Sequence, residues 1–234
     1  MKRVSAIVLN PCDSKAIGPA IKEANAAGIP VFTADIACLA PDAKVICHVA
    51  TDNYQGGRMA AQAMIEALGG KGKVAIIDHP EVESVILRTK GFGEEIAEAN
   101  KRPGIAIQIL GKWPGGAVKE KSFNTALDIL QAHPDLDGIF AINDPTALGA
   151  VAALEKAGKL GQVKVVAFDG QPEGKQAIKD GKIYADPIQF PEKIGAETLR
   201  VIVKHFNGET LPKEILIPTA LYRKADALKD PALK

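Results

Sequence analysis

The chain has 234 residues, 47% of them hydrophobic and 24% charged, which is typical of a folded globular protein and excludes extended disorder. Its 29 Lys and Arg residues are balanced by 28 Asp and Glu residues, and a net charge of +1 without a basic block argues against a nucleic-acid partner. No apolar run reaches the roughly 20 residues that cross a bilayer. Residues 1–3 lead directly into a short apolar run, so we expect no signal peptide and a cytoplasmic location for the polypeptide as written.

Short apolar, β-branched runs alternate with helical patterns along the chain, which predicts βα units on parallel sheets. The predicted strands, in chain order, are 4–10, 31–35, 45–50, 73–78, 104–110, 138–143, 163–169, 183–189 and 214–222. A first helix follows Asp13-Ser14 and ends at Gly28, and the later helices are predicted over 55–68, 84–100, 120–132, 146–157, 172–180 and 191–206. Pro187 predicts that 183–189 is an edge strand or a chain crossing, because proline lacks the N–H that a central strand donates.

Polar side chains stand at the ends of five predicted strands. In open α/β sheets ligands bind beyond the carboxyl ends of the strands, so five such residues at that edge predict a binding site. Any one of them alone could equally be a helix cap or a turn former. The five residues are Asp35, Asp78, Asn143, Asp169 and Gln189.

Signatures of catalysis and of cofactor or metal binding are missing from the sequence. The glycine-rich segment 69–72 precedes a strand instead of following one, so it does not fit a phosphate loop. No serine lies in a GxSxG motif, and the four histidines lack metal-ligand spacing. We therefore predict a protein that is not an enzyme, with no catalytic residue, no cofactor and no metal. A small α/β enzyme using Asp78-His79 or Asp169 is the open alternative.

Several segments, in content, order and spacing, resemble the ribose-type family of periplasmic sugar-binding proteins of ABC importers. They are 8–36, TDNYQGGRMA (51–60), RTKGF (88–92), HPD (133–135), IFAIND (139–144), ALGA (147–150), FDG (168–170) and PIQFP (187–191). The resemblance extends over nearly the whole chain. The lactose-repressor family of transcription regulators shares this fold and some of these motifs.

The resemblance implies an α/β fold of two doubly wound parallel-sheet lobes, the type I periplasmic binding protein, joined by a three-crossover hinge. It places the crossovers near Thr51-Asp52, Gln189-Phe190 and Pro218-Thr219. The N-terminal lobe is then 1–51 plus 190–218, and the C-terminal lobe is 52–189 plus 219–234.

The resemblance also implies the ligand-binding residues. Asp35 would accept hydrogen bonds from ligand hydroxyls and Arg88 would donate them, while Asn143, Asp169 and Gln189 would complete the polar set. Ala117 stands where the family has an aromatic residue that stacks on the sugar. We predict that Trp113 either replaces this aromatic residue from nearby or packs within its own loop.

The sequence departs from the family pattern at two places. Ile36 follows Asp35 where the family often has arginine, which argues against ribose itself. The chain starts at what the family would number its third strand, so the first lobe is expected to lack its first two βα units. The run 4–10 would then be an exposed sheet edge, and we expect the chain to be a fragment.

These features predict the substrate-binding component of an ABC sugar importer, which binds a monosaccharide or related polyol in the interlobe cleft. Its expected partners are that sugar and the membrane permease, and we expect a monomer. The full-length family member would work in the periplasm or cell envelope. The alternative is the effector-binding domain of a lactose-repressor-type transcription regulator.

Overall fold

A computed structural model describes residues 4–234, which divide into two compact units. The smaller unit contains the chain up to Asn53 together with Pro80–Ile86 and Phe190–Thr219. The larger unit contains Tyr54–His79, Leu87–Gln189 and Ala220–Lys234. Each unit has its own sheet and its own core.

Helices and strands alternate over most of the chain, as the apolar pattern predicts. The strands are β1 (Ile7–Leu9), β2 (Val31–Ala34), β3 (His48–Thr51), β4 (Lys71–Asp78), β5 (Ala106–Pro114), β6 (Gly138–Ala141), β7 (Lys164–Val166), β8 (Ala185–Ile188), β9 (Glu214–Ile217) and β10 (Ala220–Arg223). The helices are α1 (Gly18–Ala26), α2 (Asn53–Ala67), α3 (Glu83–Ala99), α4 (Lys119–Ala132), α5 (Asp144–Lys156), α6 (Pro172–Lys179), α7 (Pro191–Phe206) and α8 (Lys224–Ala227). Among these helices, none combines the length and apolar character that spanning a membrane requires.

The smaller unit is a parallel four-stranded sheet in the order β1-β2-β3-β9. Helix α1 packs on one face of the sheet, where its Ile21 clusters with Val31 of β2. Helix α7 packs on the other face, against Phe32 and Val49. Within residues 4–234, β1 pairs only with β2, and Val8 on this edge is 44% exposed. The predicted edge position of the run 4–10 therefore agrees with the pairing in this unit.

The larger unit is a six-stranded sheet in the order β10-β8-β7-β6-β4-β5. Its strands are parallel except β10, which runs antiparallel to β8. The chain passes from β4 to β5 on one side and then to β6 on the other, so the strand order reverses at β4. The carboxyl ends of β4 and β6 form the topological switch point, where doubly wound sheets bind ligands. The predicted α/β fold with two parallel-sheet units is confirmed.

Strand β8 lies between β7 and β10, which corrects the edge-strand alternative for 183–189, while the chain leaves the larger unit directly after Gln189. The carbonyl of Pro187 accepts from the Asp169 N–H at 3.1 Å, so the proline nitrogen also lies on the β7 side of the strand. The pairing continues on both sides of the missing proline N–H, since Ala167 donates to the Ala185 carbonyl at 3.0 Å and Gln189 donates to the Asp169 carbonyl at 2.8 Å, so the proline interrupts the ladder at one position only.

The bounds of the two units differ from those of the predicted lobes at three places. The segment 80–86 is predicted in the larger lobe but belongs to the smaller unit. Ser14 holds it there, because its N–H donates to the Glu81 carbonyl at 3.1 Å and its Oγ accepts from Glu83 N at 2.9 Å. The smaller unit also extends to Asn53, because Asp52 donates to the β9 carbonyl of Ile217 at 2.8 Å. The chain also passes from one unit to the other after Gln189 and after Thr219, whereas the predicted lobes divide after Gln189 and after Pro218.

Helices α2 and α3 touch at two glycines, where their backbones approach closely. A Cβ added to Gly57 would lie 2.1 Å from the carbonyl oxygen of Arg88, and one added to Gly91 would lie 2.2 Å from that of Tyr54. Both distances are far below van der Waals contact, so neither position accepts a side chain without moving a helix. This contact fixes the part of α3 that carries Arg88.

We therefore expect Gly91→Ala to lower the free energy of unfolding by about 1 to 3 kcal/mol, because it overpacks the helix contact. Gly93→Ala is the matched control on the same helix, since a Cβ there would meet nothing within 4 Å. The control is expected to stabilise the protein by about 0.5 to 1 kcal/mol through helix propensity. Urea unfolding of both variants measures the difference, and equal effects would contradict the contact.

Candidate ligand-binding site

Three of the predicted site residues converge at the carboxyl edge of the larger sheet. Arg88 on α3 donates through Nη1 to Asp169 Oδ1 at 2.8 Å and to the carbonyl of Ile142, after β6, at 2.7 Å. Gln189, after β8, donates through Nε2 to the same Asp169 oxygen at 2.6 Å. The switch-point edge therefore carries one carboxylate held by two donors.

The charged pair at the centre of this site is largely removed from water. The Arg88 side chain is 5% exposed and that of Asp169 is 14% exposed. The Arg88 guanidinium also lies 3.8 Å from the centroid of the buried Phe168 ring, a cation–π contact. These contacts offset the desolvation of the two charges and hold the arginine in one orientation.

Asp169 sits on a backbone turn that few residues adopt. Its φ is 117°, and the φ of Gly170 is 80°. Two bonds to the chain on either side of Ile188 hold the turn: Asp169 donates its N–H to the Pro187 carbonyl, and its own carbonyl accepts from Gln189 N at 2.8 Å. A Cβ on Gly170 would lie 2.4 Å from Ile188 Cγ2, so the glycine of the FDG motif is needed for both its φ and its close packing.

Asn143 lies beside the site and has a structural role as a helix cap. Its Oδ1 accepts from Thr146 N at 2.9 Å, so it is the N-cap of α5. Its Nδ2 donates to the Ala117 carbonyl at 3.3 Å and ties the loop before α4 to the sheet edge. Ala117 itself has a φ of 58°. Asn143 therefore orders the rim of the site.

Trp113 is not brought together with Arg88, Asp169 and Gln189. It lies in β5 and packs against the core of the larger unit, with its ring centroid 5.6 Å from that of His133, edge to face. Helix α4 runs from the carboxyl end of β5 to the amino end of β6, so His133, which follows α4, lies at the amino edge. The ring is directed away from the site, and the geometry supports the packing role over the stacking role.

Asp35 belongs to the smaller unit, where it follows β2 with a φ of 68°. Its Oδ2 accepts from Asn10 Nδ2 at 3.1 Å, and its N–H donates to the Val49 carbonyl at 2.8 Å. Sequence reasoning missed Asn10 as a polar partner. The signal was present, because Asn10 ends a predicted strand in the same way as Asp35.

Two further acidic residues were missed because their runs predict only helix and strand. Asp144 is the first residue of α5 and Asp186 lies in β8, and both side chains are completely buried. They accept from the two amides that follow Asp169: Gly170 N donates to Asp186 Oδ2 at 3.0 Å, and Gln171 N donates to Asp144 Oδ2 at 2.6 Å. No group of His, Cys, Asp and Glu within residues 4–234 is arranged to hold a metal ion.

Comparison with known proteins finds a matching family profile and several curated relatives. A family profile described as a periplasmic binding protein domain matches residues 1–210. The ribose import binding protein of Salmonella typhimurium is 39% identical over 204 residues, which cover 87% of this chain and 66% of that protein. The ribose import binding protein of Bacillus subtilis is 36% identical over 219 residues, covering 93% and 68%. The chain thus spans about two thirds of the length of these curated relatives.

Solved structures resemble the chain over nearly all of its length. A periplasmic solute-binding protein of an ABC transporter from Actinobacillus succinogenes, with bound D-allose, is 33% identical with a TM-score of 0.86, covering 97% of this chain and 79% of that one. A solute-binding protein from Agrobacterium vitis, bound with α-D-tagatopyranose, is 30% identical with a TM-score of 0.88, covering 98% and 78%.

The burial of the Arg88–Asp169 pair predicts that Arg88→Met is strongly destabilising. The methionine fills much of the volume but leaves the carboxylate without its cation, so the free energy of unfolding should fall by about 3 kcal/mol. Arg200→Met is the control, because Arg200 is exposed and pairs with Glu197 on the same helix, and its loss should cost less than about 0.5 kcal/mol. Chemical denaturation measures both, and a loss at Arg88 as small as at Arg200 would contradict the assigned role.

Proposed function

The chain belongs to the periplasmic binding protein domain family, and on that premise we propose that it binds a monosaccharide or related polyol as the solute-binding component of an ABC sugar importer. The observation that carries the proposal is the preformed set of Arg88, Asp169 and Gln189 at the switch-point edge. A carboxylate flanked by a guanidinium and an amide offers acceptors and donors to adjacent sugar hydroxyls.

The relatives support a sugar as the class of ligand, but they do not agree on one sugar. The names of the two curated relatives quoted above specify ribose, whereas the two solved structures quoted above hold D-allose and α-D-tagatopyranose. Ile36 beside Asp35 removes a polar contact expected for ribose. We therefore assign the ligand as a pentose, hexose or polyol, with hydroxyls at adjacent carbons that engage one carboxylate.

Asp35 is the contact that we propose from the smaller unit. Its left-handed backbone and its bond to Asn10 hold the carboxylate at the end of β2. Trp113 drops out of the proposed contacts because its ring packs against His133. The proposed site then consists of Asp35, Arg88, Asp169 and Gln189, with Asn143 at its rim.

We propose that the chain binds its sugar and releases it chemically unchanged. The quoted relatives are binding proteins, and the site residues form hydrogen bonds to one another without the nucleophile and base that a transfer reaction needs. In this proposal the chain works in the periplasm as a monomer and delivers its sugar unchanged to a membrane permease.

A thermal-shift screen of this chain against pentoses, hexoses and polyols tests the proposal. A sugar that binds only the folded chain stabilises it by about 2.7 kcal/mol at one hundred times its dissociation constant, and the unfolding temperature should rise. Mass spectrometry of the recovered sugar should show no product. No shift with any sugar would contradict the proposal.

Two near-isosteric variants localise the binding. Asp169→Asn and Asp35→Asn each remove a charged acceptor, and each should weaken binding by about tenfold or more. Asp128→Asn on the exposed face of α4 is the matched control and should bind like the parent chain. Unchanged affinity at Asp169 would place the ligand elsewhere.

A further inference from the structure

The two buried carboxyls beneath the Asp169 turn, Asp144 and Asp186, each have one oxygen without a hydrogen-bond donor. One oxygen of each carboxyl accepts a hydrogen bond from a backbone amide. Asp144 accepts from Gln171 N, and Asp186 accepts from Gly170 N. The remaining oxygens, Oδ1 of each residue, are buried and receive no donor from the other described groups. Because their other oxygens bind consecutive amides, the two carboxyls lie close together beneath the turn, and each affects the pKa of the other. Two ionised carboxylates carry only acceptors, so a hydrogen bond between their remaining oxygens needs a proton on one of them.

We propose that Asp144 and Asp186 share a proton and, as a pair, position the Asp169-Gly170 turn for the ligand. This inference rests on the proposed sugar site. In this proposal neither residue contacts the ligand. Both act on the site through the hydrogen bonds that they accept from the amides of Gly170 and Gln171. Their role is to hold a turn whose Asp169 and Gly170 both have positive φ, an arrangement that relaxes unless it is anchored.

The surroundings favour retention of the proton. Burial first, and then repulsion from Asp169, raise the pKa of Asp144 to about 7. Burial first, and then repulsion from Asp144 and Asp169, raise the pKa of Asp186 well above its usual value. The geometry favours the same direction, because Asp144 Oδ1 is buried and packs against Gly174 of α6, where an added Cβ would lie 2.0 Å from it.

The charged groups around the pair come from four elements. Asp169 faces it from the turn after β7, and the charge of Asp169 is itself paired with Arg88 of α3. Tyr222 on β10 stands opposite Asp186, but its hydroxyl donates to Asp230 at 2.8 Å, and Lys175 of α6 lies over its ring. The hydrogen bond between the two carboxyls therefore depends on their own proton.

The sign of the pH dependence follows from the raised pKa values. An unfolded aspartate releases its proton near pH 4, whereas the folded pair keeps its proton to about 7 and beyond, so stability from the pair is lost as the pH rises through that range. Once the proton is lost, two adjacent buried charges repel each other, and the turn above them loosens. Ligand affinity should then fall on the alkaline side.

Asp186→Asn tests the shared proton directly. The amide oxygen can accept from Gly170, and the amide nitrogen can donate to Asp144, so a permanent hydrogen replaces the titrating one. Asp144→Asn is the reciprocal variant and serves if the first does not fold. Asp128→Asn is the surface control. Glu83, whose pKa burial and Glu214 raise to about 7, is present in every variant, so its contribution cancels in the comparison.

Two readouts separate this inference from the proposed function. The first is the dissociation constant for a sugar that the screen identifies, measured from about pH 6 to about pH 9. The parent chain and Asp128→Asn should lose about tenfold in affinity across this range, while Asp186→Asn should stay nearly constant. The second is the hydrogen-exchange protection of the Gly170 and Gln171 amides without ligand, which should fall as the pH rises in the parent chain and in Asp128→Asn but not in Asp186→Asn.

Equal pH slopes in the parent chain and Asp186→Asn, in both readouts, would overturn the shared-proton pair even if sugars bind. If no sugar binds, the proposed function fails, and the amide protection alone then decides whether the pair holds the turn. A protection that falls in the parent chain but not in Asp186→Asn supports the pair in that case, and parallel falls reject it.

Discussion

The structure of the site depends on the ion pair between Arg88 and Asp169. A buried ion pair is stabilising only when its remaining donors and acceptors are also satisfied. Here the same guanidinium nitrogen reaches the Ile142 carbonyl, the Phe168 ring lies beneath the cation, and Gln189 completes the carboxylate. The pair thereby joins α3 to the ends of three neighbouring strands, and it fixes the polar edge before any ligand arrives.

Two packing constraints make this pair possible. Gly57 lets the α2 backbone meet the carbonyl of Arg88 itself, which sets the height of the arginine along the sheet. On the other side, the positive φ of Asp169 directs its carboxylate towards α3, and the amides that follow are held from below by Asp144 and Asp186. The strained turn and the buried acids are therefore parts of one arrangement, in which the position of one charge depends on the protonation of two others.

The fold was predictable from local sequence patterns, whereas much of the site was not. Apolar runs and turn residues located the strands and helices because both signals are short-range. The inner position of β8 could not be predicted from Pro187, because the pairing of β8 with the chain after β7 continues on both sides of the missing N–H. Trp113 could not be assigned from proximity in sequence, since the direction of its ring depends on contact with His133. Asp186 reads as a residue of an ordinary strand, and only the fold places it under the Asp169 turn.

Side-chain NMR during a sugar titration tests the central claim most directly, because it reports on the residues of the site themselves. The account predicts that the Arg88 guanidinium and the side-chain amides of Gln189 and Asn143 shift together and saturate with the same dissociation constant, while the exposed Arg200 guanidinium does not move. A saturable shift confined to other residues, with Arg88 and Gln189 unchanged, would contradict the assignment of this sheet edge as the sugar site.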